Sequence, residues 1–243
     1  DLSAADNVVL GTDIAIDTTD AGADAAGDHV DFTAGTGTDS LSGAFDLSIT
    51  AGTAGDVEFD NASGVVDVTV VSADDVTFSG NFNIDGTLNI TSDQSVLVSD
   101  IVTVGGSIDF SVTDATNDAN AGLINIDAAV ISAGNIVFDA DGTVEDATVD
   151  IDAAITAGGT LTITADVSVA GDTGSVDIAG GTAQADGAHR RRVRSDAGCA
   201  GEPRRDPHRT CRRRPCTQPV RVAGTSQGAA TGHGLVPGVP QAA

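Results

Sequence analysis

Apolar residues in this chain recur in short alternating runs, not at helical spacing. Leu88-Asn89-Ile90, Ile108-Asp109-Phe110 and Leu161-Thr162-Ile163 each read apolar-polar-apolar, the period of two of a half-buried strand. The fullest unit is Ile155-Thr156-Ala157-Gly158-Gly159-Thr160-Leu161-Thr162-Ile163. Ile131-Ser132-Ala133-Gly134-Asn135-Ile136-Val137-Phe138 repeats it one residue shorter. Matching lead-ins precede both, Ile126-Asp127-Ala128-Ala129 and Ile151-Asp152-Ala153-Ala154. Val102 to Phe110, Val71 to Phe78, Gly86 to Ile90 and Ile49 to Gly52 read as weaker copies. Each unit predicts a short strand, a bend that Gly permits, and a second short strand.

Self-similarity at this scale predicts an all-β coil-by-coil fold. With Phe32, Phe59, Phe78, Ile90, Phe110, Phe138, Ile163 and Ile178 taken as equivalent points, the spacings are 27, 19, 12, 20, 28, 25 and 15. Most suit one coil of a β-solenoid of about 7–8 coils, a stack about 35–40 Å long at roughly 4.8 Å per coil. Phe59, Phe78, Phe110, Phe138 and Ile163 are the expected lumen residues. A β-sandwich is the alternative, since short strands with frequent turns also describe one, and the spacings of 12 and 15 fit a coil badly.

The Ile155–Ile163 and Ile131–Phe138 units resemble the stalk repeats of filamentous-haemagglutinin-type and autotransporter-type bacterial surface adhesins. The resemblance covers about residues 45–180. It implies a right-handed parallel β-helix, secretion and a role in surface attachment. The secretion domain and outer-membrane barrel of such proteins have no counterpart in this sequence.

Composition divides the chain in two. Residues 1–188 hold 33 of the 36 acidic residues and neither Lys nor Arg, while all eleven Arg, all three Cys and all six Pro follow. Asp outnumbers Glu 31 to 2 in the first part, which favours turns over helices. The expected organisation is an acidic N-terminal stretch or first irregular coil (1–29), a β-solenoid (30–186), and an unstructured Arg/Pro-rich tail (187–243). In a GC-rich gene, a shifted frame through Asp-Gly codons yields Arg, so the tail reads as a frameshift product. The rival reading is a native basic tail that docks on the acidic solenoid or on nucleic acid. A first part of charge −33 repels nucleic acid and anionic membrane. No apolar stretch is long enough to span a membrane as a helix. The start at Asp1, with neither Met nor a signal peptide, predicts a processed chain or part of a longer polypeptide.

Candidate sites are few. Ala34 to Ser42 matches eight of the nine positions of the calcium nonapeptide G-G-x-G-x-D-x-U-x, which makes Gly35, Gly37 and Asp39 candidate oxygen ligands. A neighbouring copy is needed to complete such a site, and none follows. Asp139, Asp141 and Asp146, with Glu145, gather around Gly142 in what reads as a turn suited to calcium. Asp74/Asp75 and Asp150/Asp152 are paired carboxylates of the kind general acid–base chemistry uses, although chance pairs abound at this acidity. His29 reads as a turn residue, and Cys199, Cys211 and Cys216 lack the close pairing of zinc ligands.

These features predict a non-enzymatic structural or adhesive segment of a secreted cell-surface protein, with a host or cell-surface glycan or protein as partner. The enzymatic alternative is a polysaccharide lyase or hydrolase on the same scaffold. Residues 1–188 offer it no Lys, Arg, Trp or Tyr to neutralise or stack on a sugar acid. A calcium-dependent assembly module is the third reading. No other cofactor is expected.

Overall fold

The computed structural model describes residues 2–3, 7–33, 40–114, 122–142, 146–167, 173–178, 183–185 and 189–195. The chain divides into two units, Asp1–Glu202 and Pro203–Ala243, and every described residue belongs to the first. That unit is a parallel β-helix of eight coils, each built from three short strands. Coil 1 holds β1 (Leu2–Ser3), β2 (Val8–Val9) and β3 (Ile14–Asp17); coil 2 holds β4 (Val30–Asp31), β5 (Ser40–Ser42) and β6 (Leu47–Thr50). Coil 3 holds β7 (Val57–Phe59), β8 (Asn61–Val65) and β9 (Val68–Ser72); coil 4 holds β10 (Asp75–Phe78), β11 (Phe82–Ile84) and β12 (Leu88–Ser92). Coil 5 holds β13 (Ser95–Val98), β14 (Val102–Val104) and β15 (Ile108–Asp114); coil 6 holds β16 (Leu123–Ile126), β17 (Val130–Ser132) and β18 (Ile136–Gly142). Coil 7 holds β19 (Ala147–Ile151), β20 (Ile155–Ala157) and β21 (Leu161–Val167); coil 8 holds β22 (Gly174–Ile178), β23 (Ala183–Ala185) and β24 (His189–Ser195).

The first, second and third strands of the coils form faces 1, 2 and 3, each an eight-stranded sheet in which a strand pairs only with its counterpart one coil away. All pairings are parallel, so the sandwich alternative is excluded. Register carries like residues onto like. On face 3, Ile14, Leu47, Val68, Leu88, Ile108, Ile136 and Leu161 form one inward column. Ile16, Ile49, Val70, Ile90, Phe110, Phe138 and Ile163 form the next inward column.

The expected lumen residues are inside: Phe59, Phe78, Phe110 and Phe138 are at most 1% exposed and Ile163 4%. Their equivalence, however, was misread. Phe32 stacks on Phe59, and Phe59 and Phe78 pair on face 1, whereas Ile90, Phe110, Phe138 and Ile163 share a column on face 3. Ile178 is back on face 1. The awkward spacings of 12 and 15 are jumps between faces. The apolar-x-apolar signature recurs three times per coil, so sequence alone assigned different faces to one series. The same ambiguity misplaced two weak copies. Val71 to Phe78 and Ile49 to Gly52 turn the corner from face 3 to face 1, whereas Ile155 to Ile163 turns from face 2 to face 3.

Inside the lumen the rings form a spine. Phe32, Phe59 and Phe78 stack at 5.5 and 5.3 Å, and Phe82 of face 2 wedges in edge-on to Phe78 at 4.9 Å. The stack crosses to face 3 between Phe78 and Phe110 (6.0 Å) and runs on to Phe138 (5.4 Å). Buried hydroxyls are satisfied: Ser132 Oγ donates to the Gly106 carbonyl at 2.7 Å, and Ser92 Oγ to the Ser95 carbonyl at 2.9 Å.

Coil length is set largely at the corner leaving face 3, with the connection between β4 and β5 adding to it in coil 2. Coils 3 and 4 turn there with two residues between strands, and the face 3 column advances 20 residues from Leu88 to Ile108. Longer connections between strands make that step 33 residues from Ile14 to Leu47 and 28 from Ile108 to Ile136. At the corner from face 2 to face 3 successive coils approach closely. A Cβ on Gly158 would overlap the Ala133 carbonyl oxygen of the coil below.

The composition change near residue 187 does not end the ladder. β24 pairs with β21 along its whole length, Leu161 with His189 through Val167 with Ser195. Gly35, Gly37 and Asp39 lie outside the described residues, as do Cys199, Cys211, Cys216 and all of 196–243.

Phe110→Ala, which opens a hole where the ring spine runs between Phe78 and Phe138, is expected to cost about 3–5 kcal/mol. Gly158→Ala is expected to destabilise as well, by forcing coils 6 and 7 apart. Chemical denaturation monitored by far-ultraviolet circular dichroism measures both; an unchanged midpoint for Phe110→Ala would contradict the buried stack.

Candidate functional site

The outward surface is built from polar residues on strands whose alternate positions fill the lumen. Two roles divide these polar residues: some bind the coil above, others stand in rows facing solvent.

The binding role is clearest where each chain turn enters face 3. Asp46 N–H donates to Asp13 Oδ1 and Asp67 N–H to Asp46 Oδ1, both at 3.2 Å. Thr87 then donates its N–H (2.5 Å) and its hydroxyl (2.9 Å) to Asp67 Oδ1. Higher up, Asn135 N–H donates to Ser107 Oγ at 3.2 Å, and Thr160 donates its N–H and hydroxyl to Asn135 Oδ1 at 2.9 and 3.1 Å. Short oxygen-bearing side chains thus satisfy amide groups that the corner takes out of the ladder. This explains the Asp, Asn, Ser and Thr at these positions without a ligand.

A second series runs up the start of face 1. Asp56 N–H donates to His29 Nδ1 (3.1 Å), Asp75 N–H to Asp56 Oδ1 (3.4 Å), and Ser95 Oγ to Asp75 Oδ1 (2.5 Å). His29 Nδ1 also lies 3.0 Å from Asp56 Oδ2. His29 is therefore a rung of an inter-coil series beside β4, a role its place in the sequence did not reveal. Gln94 Nε2 donates to Asp74 Oδ2 at 3.1 Å. The turn brings Asp56, Asp74 and Asp75 together, half-buried, with one carboxylate oxygen of each within 4.8 Å of the others. Three carboxylate oxygens at that separation supply part of the six to eight oxygen donors that a Ca²⁺ ion takes. Asp74 and Asp75 are adjacent in sequence and were singled out. Asp56 was not, because it is their neighbour through coil stacking.

The Asp139 cluster takes a different form from the expected turn. Asp139 to Gly142 belong to strand β18, and Gly142 is buried at its end, in register with Asp114 and Val167. Asp139 and Asp141 therefore stand on the outer side of face 3, with Asp109 one coil below and Asp166 paired to Asp141 one coil above. Asp146 is elsewhere: its Oδ1 accepts the Thr173 N–H and, at 3.1 Å, the Thr173 hydroxyl. Gly142 misled because Gly at the buried end of a strand reads in sequence like Gly in a turn. The period-two alternation through Phe138, Ala140 and Gly142 was the available signal.

These rows carry an electrostatic cost. Partial burial, then the charges of Asp166, Asp141 and Asp109, push the Asp139 carboxyl above its ordinary value of 3.8; partial burial alone raises Asp109. On face 1, Asp150 is raised by desolvation and by Asp152, Asp177 and Asp127. Asp17 goes the other way, because its Oδ1 accepts the Thr19 hydroxyl (2.6 Å) and N–H (2.8 Å). No helix among the described residues is long and apolar enough to cross a membrane.

The shifts set a pH dependence. Asp109, Asp139 and Asp150 bind protons more tightly folded than unfolded, so their contribution improves as pH falls through their raised values. Asp17 contributes above the ordinary carboxylate value and loses that contribution as pH falls through its lowered one. Melting temperature should therefore rise from neutral pH toward mildly acidic pH, then fall in stronger acid. Asp139→Asn should raise stability at neutral pH by roughly 0.5 kcal/mol, the scale of a like-charge pair across strands, and flatten the acidic rise. A melting temperature that falls steadily from neutral pH downward would refute this account.

No family model, curated protein or solved structure matches this chain.

Proposed function

We propose that this chain is a non-enzymatic structural and adhesive segment of a large secreted cell-surface protein. The observation that supports this best is the division of labour on the coils. The lumen is packed with aliphatic side chains and six phenylalanines, while Asp, Thr, Ser and Asn stand outward in rows one coil apart. A repeating polar face offers many weak, equivalent contacts, and multivalent attachment draws affinity from such repetition. The partner is a glycan or protein on a host or neighbouring cell surface. The adhesin resemblance of Ile131–Phe138 and Ile155–Ile163 agrees with this reading, since both units span the corner from face 2 to face 3.

Calcium dependence is a second reading, favoured by the carboxylates of Asp56, Asp74 and Asp75. It is compatible with adhesion, because a cation bound between coils would stiffen the stack.

Purified protein immobilised on beads should retain glycans or cells and leave uronate polymers intact. Release of unsaturated sugar ends from such polymers would replace the adhesive reading with the lyase one. For calcium, millimolar CaCl2 should raise the melting temperature above that in NaCl of equal ionic strength, since exposed extracellular sites bind on the order of 10⁻⁴–10⁻³ M. Asp75→Asn should abolish the difference. Equal melting temperatures in the two salts would reduce the effect to charge screening.

A further inference from the structure

The three faces differ in charge. Across coils 3 to 7, the strands of face 1 carry Glu58, Asp75 and Asp150, and those of face 3 carry Asp109, Asp139, Asp141 and Asp166. The five strands of face 2 in the same coils, β8, β11, β14, β17 and β20, carry no charged residue. Their outward column reads Ser63, Asn83, Thr103, Ile131 and Thr156, one residue per coil. Ile131 is 40% exposed, and so is Ile101, which leads into β14. The connections flanking face 2 in these coils are at most three residues long, so the face is flat and open.

This contrast decides what can pack against what. A carboxylate only accepts hydrogen bonds and costs free energy to strip of water, so two acidic faces can neither bond to each other nor approach closely. The hydroxyl and carboxamide groups of Ser63, Asn83, Thr103 and Thr156 both donate and accept. Face 2 is therefore complementary to itself, as a two-fold contact between identical surfaces requires. It also lacks the charges that the cores of protein interfaces avoid. Eight strands about 4.8 Å apart and about five residues wide give the face roughly 600 Å², so two copies would cover about 1,200 Å² together, the lower end of stable pairing.

We propose that face 2 is a self-association surface, on which two copies of this chain pack side by side as a two-fold dimer. Ile101 and Ile131 supply its apolar part, and the acidic faces 1 and 3 stay in solvent. Both copies carry the −33 of residues 1–188, so repulsion between the bodies opposes the contact and salt relieves it.

The test is sedimentation velocity of the full chain over a concentration series, under reducing conditions that keep Cys199, Cys211 and Cys216 from cross-linking. The wild type should pass from monomer to dimer and stop there. It should do so at lower concentration in about 1 M NaCl than in about 0.15 M, because the Debye length falls from about 8 to about 3 Å. Ile131→Asp should raise the dissociation constant more than about tenfold, since each contact then covers two unpaired charges. Ile131→Thr, which copies Thr103 and Thr156 of the same column, should raise it roughly threefold. Thr91→Asp adds the same charge at an exposed position of face 3 and should leave it nearly unchanged. The contrast between Ile131→Thr and Thr91→Asp stands even if Ile131→Asp disturbs β17. Four results would each overturn the proposal: a monomer at every concentration and salt, association that weakens with salt, growth past the dimer, or equal responses to Thr91→Asp and the Ile131 variants.

Discussion

Parallel pairing between successive coils is the constraint from which the rest of this structure follows. Because each strand is hydrogen-bonded to its counterpart one coil away, a residue's environment is set by residues 19 to 33 positions distant rather than by its chain neighbours. A column that is apolar at one coil must be apolar at the next, or the lumen is breached. The columns from Leu47 to Leu161 and from Ile49 to Ile163 obey this rule. At β24 the face 3 columns continue with His189 and Arg191, a sequence the rule would not select.

Much of this was legible in sequence, and the failures share one cause. Alternation named the strands and the lumen phenylalanines, since period two is a local property. Which of three faces a strand occupies is not local, so Ile90 and Phe78 were placed in one series although they sit on different sheets. Asp139 and Asp141 were recognised as a carboxylate concentration, but their neighbours are Asp109 and Asp166 through stacking, not Asp146 along the chain. Asp56 with Asp74 and Asp75 escaped for the same reason.

The acidity has two structural explanations of opposite sign. Asp17, Asp46 and Asp67 accept amide or hydroxyl hydrogens where the chain turns, and there a carboxylate stabilises the fold. Asp109, Asp139 and Asp150 stand among their own kind, and there each added charge works against it. Net charge therefore says little about stability, because the position of a carboxylate relative to the corner decides its sign.

The aromatic spine has a mechanical consequence. Stacked coils behave as a nearly one-dimensional array in which each is held by its neighbours. Rings bridge coils 2 through 6, from Phe32 to Phe138, and the step from Phe78 to Phe110 ties face 1 of one coil to face 3 of the next. Coil 7 fills its share of the lumen with smaller residues such as Ala147, Ala157 and Ala165, and in coil 8 Ile178 is partly exposed. A load applied along the stack would find a graded material: coils outside the ring spine, coil 1 at one end and coils 7 and 8 at the other, would peel first, and the ring-locked block would yield as a unit.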